Sequence, residues 1–181
     1  KLSHNSTKLM SIHPLFGPGA NIFKPQKFIL VPIKSAISEK KLFNSLFPNS
    51  KLVVCNANQH DKSMAYVISL VYFLNLSFIL SLDKIPHLKD ISGTSFTIQY
   101  LLASGILHDS PEVISSLQMS NKQFNEVLLN FTSNVNSIEN LIAKNDTDQF
   151  IKIIKKVKKQ IISNKKSYDD LYQLVNSIDS F

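Results

Sequence analysis

Histidine 13 stands in a segment whose residue types could support acid–base chemistry. The segment 12–18 reads IHPLFGP, so an apolar run leads into the histidine and a turn rich in Pro and Gly follows it. Ligands of open α/β sheets bind where strands end, and imidazole exchanges a proton near neutral pH. A purely structural role, in which His13 caps the strand and bonds a backbone carbonyl, is the interpretation that the spacing alone favours. The motif alone therefore allows a proton-transfer site without requiring one.

A second polar cluster, QHDKSMA at 59–65, opens the longest apolar segment of the chain. Asp61 falls in the first turn of the predicted helix, where a carboxylate interacts favourably with the helix dipole. That structural role is our preferred interpretation of Asp61. For His60 the spacing leaves a helix-capping role and a role in a site equally open.

A group of lysines near the C-terminus alternates with isoleucines: Lys152, Lys155, Lys156, Lys158, Lys159, Lys165 and Lys166. A basic surface of this kind could face nucleic acid or an anionic membrane, but it is also typical of the solvated side of an amphipathic helix. Aromatic residues that would stack on bases are missing between the lysines. We therefore expect no nucleic-acid partner, and we expect the isoleucines to lie in the core.

The composition excludes several kinds of site. Cys55 is the only cysteine, so the chain cannot form an internal disulfide or a zinc site built on a cysteine pair, and we expect no metal and a cytoplasmic protein. All 20 basic residues are lysines, and the net charge of +7 suits a small anionic ligand. Gly17 and Gly19 begin like a dinucleotide-binding fingerprint, but position 22 is Ile, and no P-loop is present.

Hydrophobic periodicity predicts two regions and a mainly α fold. Residues 1–57 predict the order strand, strand, helix, strand, with strands at 9–12, 28–31 and 51–55 and a helix over 38–47 that Ser38 could cap. Residues 58–181 predict helices only, over 59–82, 95–107, 110–143, 146–162 and 168–178. We place the boundary between the two domains at residue 57.

The run 64–82 contains no charged residue and is long enough to cross a bilayer. Its interior holds Ser69, Asn75, Ser77 and Ser81, and lysines flank it on both sides. We interpret it as a helix that is buried in a dimer rather than as a membrane anchor.

Taken in order, these motifs resemble the prephenate dehydrogenase family. The resemblance is carried by HPLFGP at 13–18, HDKSMA at 60–65, Ser95-Phe96 and SPE at 110–112. The tail from Asn121 to Phe150 is similar to the helical dimerisation region of that family. The resemblance covers nearly all 181 residues, and the order and spacing of the motifs make it more specific than any one of them.

The resemblance implies a two-domain enzyme of tyrosine biosynthesis. An N-terminal Rossmann domain would hold NAD or NADP, and residues 1–57 would be its last strands. Residues 58–181 would be a helical domain, similar to the C-terminal domain of 6-phosphogluconate dehydrogenase, that forms a homodimer. The reaction would be hydride transfer to the nicotinamide coupled to loss of carbon dioxide from prephenate or arogenate. We expect a glycine-rich strand-turn-helix upstream of Lys1.

The resemblance also implies roles for single residues. His13 would be the catalytic histidine, which bonds the ring hydroxyl of the substrate and withdraws its proton. Cofactor contacts would come from Pro14, Phe16 and Gly17, and substrate contacts from His60, Tyr72, Ser95 and Gly105.

At three positions the chain departs from the family pattern. Ile68 and Tyr72 replace a glutamine and a histidine, and Gly105 replaces an arginine that would grip a substrate carboxylate. A dehydrogenase and a diverged, non-catalytic homologue that serves as a dimerisation or ligand-sensing module are therefore both open. A two-domain dehydrogenase of another substrate, such as a 3-hydroxy acid, matches the motifs less well.

Overall fold

The computed structural model describes residues 8–21, 23–82, 87–88, 90–161 and 165–177. The chain divides into two compact units, Lys1–Met64 and Ala65–Phe181. Helices predominate and a small sheet lies in the first unit, which confirms the predicted mainly α fold class.

The first unit is built on a sheet of three strands, β1 (Ile12–Pro14), β2 (Lys27–Leu30) and β3 (Lys51–Val54). Strand β2 lies in the middle, antiparallel to β1 and parallel to β3, and helix α1 (Ala36–Leu46) connects β2 to β3. The predicted order is confirmed, but the first strand begins at Ile12 and not at residue 9. Val31 N donates to Ser11 O, but the next N–H that would extend this ladder, that of Ile33, donates to the carboxylate of Glu39 instead.

Aromatic packing holds the sheet of the first unit against α1. Phe28, Ile29 and Leu30 of β2 are all buried, and Phe43 of α1 is completely buried. The ring centroids of Phe28 and Phe43 are 5.2 Å apart, and both rings contact Phe47. Since β2 is anchored in this core, the edge strand β1 that pairs with it is held in a fixed register.

The N-terminus of α1 lies three residues earlier than the predicted cap. Ser35 is the N-cap, and its hydroxyl accepts from Ser38 N at 3.4 Å, whereas Ser38 is inside the helix. The buried carboxylate of Glu39 accepts the backbone N–H groups of Ile33, Lys34 and Ser35 at 2.8–3.1 Å. These hydrogen bonds hold the pKa of Glu39 below its ordinary value. Side-chain capping, which the periodicity does not reveal, therefore decides where α1 begins.

The other helices follow the predicted pattern with ends shifted by up to three residues. They are α2 (Ala57–Met64) in the first unit and, in the second, a π-helical segment (Ala65–Leu70), α3 (Val71–Leu80), α4 (Thr94–Ile106), α5 (Pro111–Met119), α6 (Phe124–Ala143), α7 (Thr147–Ile161) and α8 (Lys165–Asn176). The helix predicted over 59–82 is thus interrupted by a π segment.

The prediction of a single helix over 110–143 is wrong, because this segment forms two helices. Helix α5 ends at Met119 and α6 begins at Phe124. The side chain of Asn121 accepts from Gln123 N at 3.0 Å, and its carbonyl accepts from Phe124 N. An asparagine that bonds the backbone locally competes with the helical pattern and favours a break.

Polar residues occupy part of the interior of the second unit. The hydrophobic core is small and contains Ala65, Phe124 and Val127. Asn75 is buried on α3, where it donates to Val71 O and accepts from Gln99 Nε2 at 2.8 Å. These bonds satisfy the buried amide and offset the cost of removing it from water, so a polar residue is tolerated in the middle of an apolar helix.

Apolar residues of the second unit, in contrast, are often exposed. The helical run Ala57–Leu80, most of which lies in the second unit, is long and apolar enough to cross a membrane by length and composition alone, and 22% of its most apolar window is buried. On α7, Ile153, Ile154 and Ile161 are 38–64% exposed, so the expectation that these isoleucines lie in the core is wrong for the single chain. The physical reason is that α7 packs mainly against α6, and one neighbouring helix covers only one side.

Candidate active site

The sheet and α2 bring two histidines of the first unit together. His13 is the central residue of β1, opposite Ile29, and is half-buried. Its Nδ1 lies 2.9 Å from Nε2 of His60, although 47 residues separate the two in sequence. The ring centroids are 5.1 Å apart. The structure therefore joins the two motifs that stand apart in the sequence.

Asp61 extends this contact into a chain of three side chains. Its Oδ1 lies 2.9 Å from Nδ1 of His60, on the opposite side of the ring from His13. The side chain of His60 is 21% exposed and that of Asp61 is 58% exposed. The prediction that Asp61 lies in the first turn of this helix is wrong, because α2 begins at Ala57 and its first turn holds no acidic residue. The contact of Asp61 with His60 takes the place of the predicted helix-dipole role.

The first turn of α2 is fixed by a reciprocal pair of hydrogen bonds. The side chain of Asn56 accepts from Gln59 N at 2.9 Å, and the side chain of Gln59 accepts from Asn56 N at 3.0 Å. This arrangement is a capping box in which Asn and Gln stand three residues apart. It positions His60, and the NxxQ spacing at 56–59 is a sequence signal for the helix start that hydrophobic periodicity does not contain.

The environment of His13 favours its neutral form. Burial lowers the pKa of His13 below its ordinary value, and the neighbouring His60 lowers it further. A neutral imidazole keeps one lone pair, so His13 can accept a proton at neutral pH.

The loop after β1 contains the three residues that were predicted to contact a cofactor. Pro14 ends the strand, and the ring of Phe16 packs edge-on against Phe28 at 5.2 Å. Gly17 O accepts from Ala20 N, and no atom lies within 4 Å of the place where a Cβ would stand on Gly17. The open backbone at Gly17 and the partly exposed ring of Phe16 suit contact with a flat ring. Their cofactor role stays a prediction.

The predicted substrate residues of the second unit are distributed over two helices. Tyr72 of α3 donates a short hydrogen bond to Asp109, and burial together with this carboxylate raises the pKa of Tyr72 to about 12. Ser95 lies exposed in the first turn of α4, and Gly105 is the penultimate residue of that helix. Asp109 was not among the residues predicted from the sequence. The roles of Tyr72, Ser95 and Gly105 stay predictions.

The described residues also contain a cavity that is separate from the predicted site residues. A cavity of about 520 Å³ in the first unit is lined by Lys8, Leu9, Lys34, Ser38, Glu39, Lys41, Leu42 and Ser45, which include none of the predicted site residues. Within the described part of the chain, no group of three or more His, Cys, Asp or Glu side chains could hold a metal ion.

Two solved structures that share this fold are described as dehydrogenases. A prephenate dehydrogenase from A. aeolicus, in complex with hydroxyphenyl propionate and NAD+, superposes with a TM-score of 0.65 at 20% identity, covering 84% of this chain and 58% of that one. The Synechocystis arogenate dehydrogenase superposes with a TM-score of 0.64 at 16% identity, covering 88% of this chain and 61% of that one. At these identities the likeness shows a shared fold.

Sequence comparison gives the family. The family model for the prephenate dehydrogenase dimerization domain matches residues 56–156, which is more than half of the chain. The chain therefore belongs to the prephenate dehydrogenase family, as the motifs indicated. A probable arogenate/prephenate dehydrogenase of Methanocaldococcus jannaschii is 24% identical over 162 residues, covering 85% of this chain. The chain spans 36% of the length of that relative.

Proposed function

We propose that this chain is the C-terminal part of an NAD(P)-dependent dehydrogenase that oxidatively decarboxylates prephenate or arogenate on the way to tyrosine. The observation that carries the proposal is the hydrogen-bonded chain of His13, His60 and Asp61 in a member of this family. The relatives named above, two of them solved with this fold, are described as prephenate or arogenate dehydrogenases.

In the proposed reaction His13 is the proton acceptor. Its neutral imidazole takes the proton from the ring hydroxyl of the substrate while hydride leaves the carbon that bears this hydroxyl. The bond to the ring carboxylate then breaks to release carbon dioxide, its electron pair makes the ring aromatic, and the phenolic oxygen takes the proton back from His13. A bound nicotinamide dinucleotide supplies the acceptor for the hydride. Pro14, Phe16 and Gly17 would border its ring, and another part of the protein would bind most of the dinucleotide.

The two domains predicted from the sequence correspond to two tasks in this proposal. Residues 1–57 complete the nucleotide-binding domain, and residues 58–181 form the homodimer and bind the small anionic substrate. The family model that matches this region describes a dimerization domain, and exposed apolar residues on α6 and α7 give a homodimer a surface to bury. We further propose that the protein is cytoplasmic and binds neither membrane nor nucleic acid.

The test is NAD(P) reduction by the full-length protein on prephenate and on arogenate. His13→Ala should reduce kcat on the order of 100- to 10,000-fold, because it removes the general base. His87→Ala is the matched control, since His87 is an exposed histidine that also contacts a carboxylate, that of Asp90. Equal turnover by His13→Ala and the wild type would refute the proposal.

A second candidate function is a non-catalytic homologue that dimerises or senses a ligand. Gly105, in place of the arginine expected from the family, favours it, because a chain without arginine cannot grip a carboxylate bidentately. A folded, dinucleotide-binding dimer that turns over neither substrate would support this second function against the first.

A further inference from the structure

We propose that Asp61 and His60 are positioning residues that hold His13 in a single tautomer, with the proton on Nδ1 and the lone pair on Nε2. The use of that lone pair as the base rests on the proposed function. The tautomer itself rests only on the three side chains and on the distances between them.

The chemistry of the partners assigns each proton in turn. An ionised carboxylate only accepts hydrogen bonds, so the 2.9 Å contact with Asp61 Oδ1 requires the proton of His60 to be on Nδ1. The assignment holds for the neutral form of His60, which has one donor, so that Nε2 of His60 is then an acceptor. The 2.9 Å contact between the rings then requires His13 Nδ1 to be the donor. His13 Nε2 is therefore the atom that can receive a proton.

Fixing the tautomer matters because a histidine with the proton on Nε2 cannot act as a base from that atom. An acidic partner that sets the tautomer and stabilises the imidazolium is a recurring arrangement in catalysis by histidine. Here the carboxylate acts through the ring of His60, whose Nδ1 contacts Asp61 and whose Nε2 contacts His13. When His13 takes up a proton, its Nδ1–H bond to His60 becomes charge-assisted and therefore stronger. The carboxylate of Asp61 is separated from this positive charge by the ring of His60.

Asp61→Asn is the direct test because an amide can donate as well as accept. If the amide donates to His60 Nδ1, the chain of bonds reverses and His13 carries its proton on Nε2. The substituted side chain is 58% exposed, so the change leaves the packed core intact. Asp90→Asn is the matched control, because Asp90 makes a 2.9 Å contact with the Nδ1 of another histidine, His87.

The first measurement is 15N NMR of the full-length protein with labelled histidine, which reports the protonation of each ring nitrogen without any substrate. In the wild type His13 should show a protonated Nδ1 and an unprotonated Nε2, and in Asp61→Asn the other tautomer should appear. A wild-type His13 with its proton on Nε2 would overturn the proposal.

The second measurement is steady-state turnover. Asp61→Asn should lower kcat about 10- to 100-fold, as is typical when a partner that orients a functional histidine is lost, with KM unchanged. Asp61→Glu should restore part of the activity, because it restores a carboxylate. Wild-type kcat in Asp61→Asn would refute the positioning role while leaving the dehydrogenase intact. The predicted tautomer in a protein without turnover would support the positioning pair and refute the dehydrogenase.

Discussion

The two units of the chain use their polar and apolar residues in opposite ways. In the first unit, aromatic side chains fill a core between the sheet and α1, and the histidines of the site are partly exposed at its edge. In the second unit, Ser69, Asn75 and Thr97 are buried, whereas large apolar residues such as Leu129 and Ile142 are 73% and 65% exposed.

The contrast indicates that the hydrogen-bonded side chains of the candidate site all lie within the first unit. The second unit, by comparison, has apolar surface that another protein surface would have to cover. All three members of the His13–His60–Asp61 chain lie within residues 1–64. The second unit leaves a stripe on α6, formed by Val135, Ile138 and Ile142, more than 40% exposed. Apolar stripes of this extent are characteristic of chains that bury them in an oligomer.

The largest effect expected from this contrast is that of a charge placed in the α6 stripe. Ile138→Lys should raise the dimer dissociation constant about 100-fold or more, because a charged side chain would be buried at the interface. Sedimentation equilibrium measures it. Asn136→Lys, on the opposite side of the same helix, is the control and should leave the dimer intact. Equal dissociation constants for the two variants would show that the stripe is not the interface.

A smaller effect is expected from restoring a cation to the second unit. Gly105→Arg should lower KM for prephenate roughly ten- to thirtyfold, because a guanidinium bonds a carboxylate through charge-assisted hydrogen bonds. The position has open space for a side chain. Gly105→Ala is the control: it should leave KM unchanged and stabilise the helix by about 0.5–1 kcal/mol, since Gly is a poor helix former. A KM that stays the same in Gly105→Arg would separate this position from the substrate.

The smallest effect concerns the pH dependence of stability in the first unit. The folded-state pKa of His13 is below its ordinary value of 6.5, so the unfolded chain binds the proton more tightly. Stability should therefore fall as the pH drops through 6.5 towards the folded-state pKa. His13→Gln should abolish this component, which amounts to a few degrees in Tm between about pH 7.5 and 5. Glu39, whose pKa is also lowered, acts below 4.5 and should not contribute in this window. An identical pH dependence in His13→Gln and in wild type would contradict the assignment.

The element order of the first unit, the helical nature of the second and the family could all be predicted from the sequence. The elements could be predicted because hydrophobic patterns with periods of 2 and 3.6 residues are local. The family could be predicted because the motifs at 13–18 and 60–65, and the spacing between them, are read directly from the sequence. Boundaries were less well predicted. The cap at Ser35 and the break at Asn121 depend on side chains that bond the backbone within a few residues, and hydrophobic periodicity does not register them.

Which polar groups meet depends on the tertiary structure. The pairing of β1 with β2 and the capping box that starts α2 bring His13 to His60 across 47 residues, and no local pattern encodes that distance. Likewise, Tyr72 reaches Asp109 because α3 packs near the end of α4. The burial of an apolar residue is also a tertiary property. The isoleucines of α7 have the spacing of core residues, and they are exposed because burial depends on what packs against them and not on their sequence.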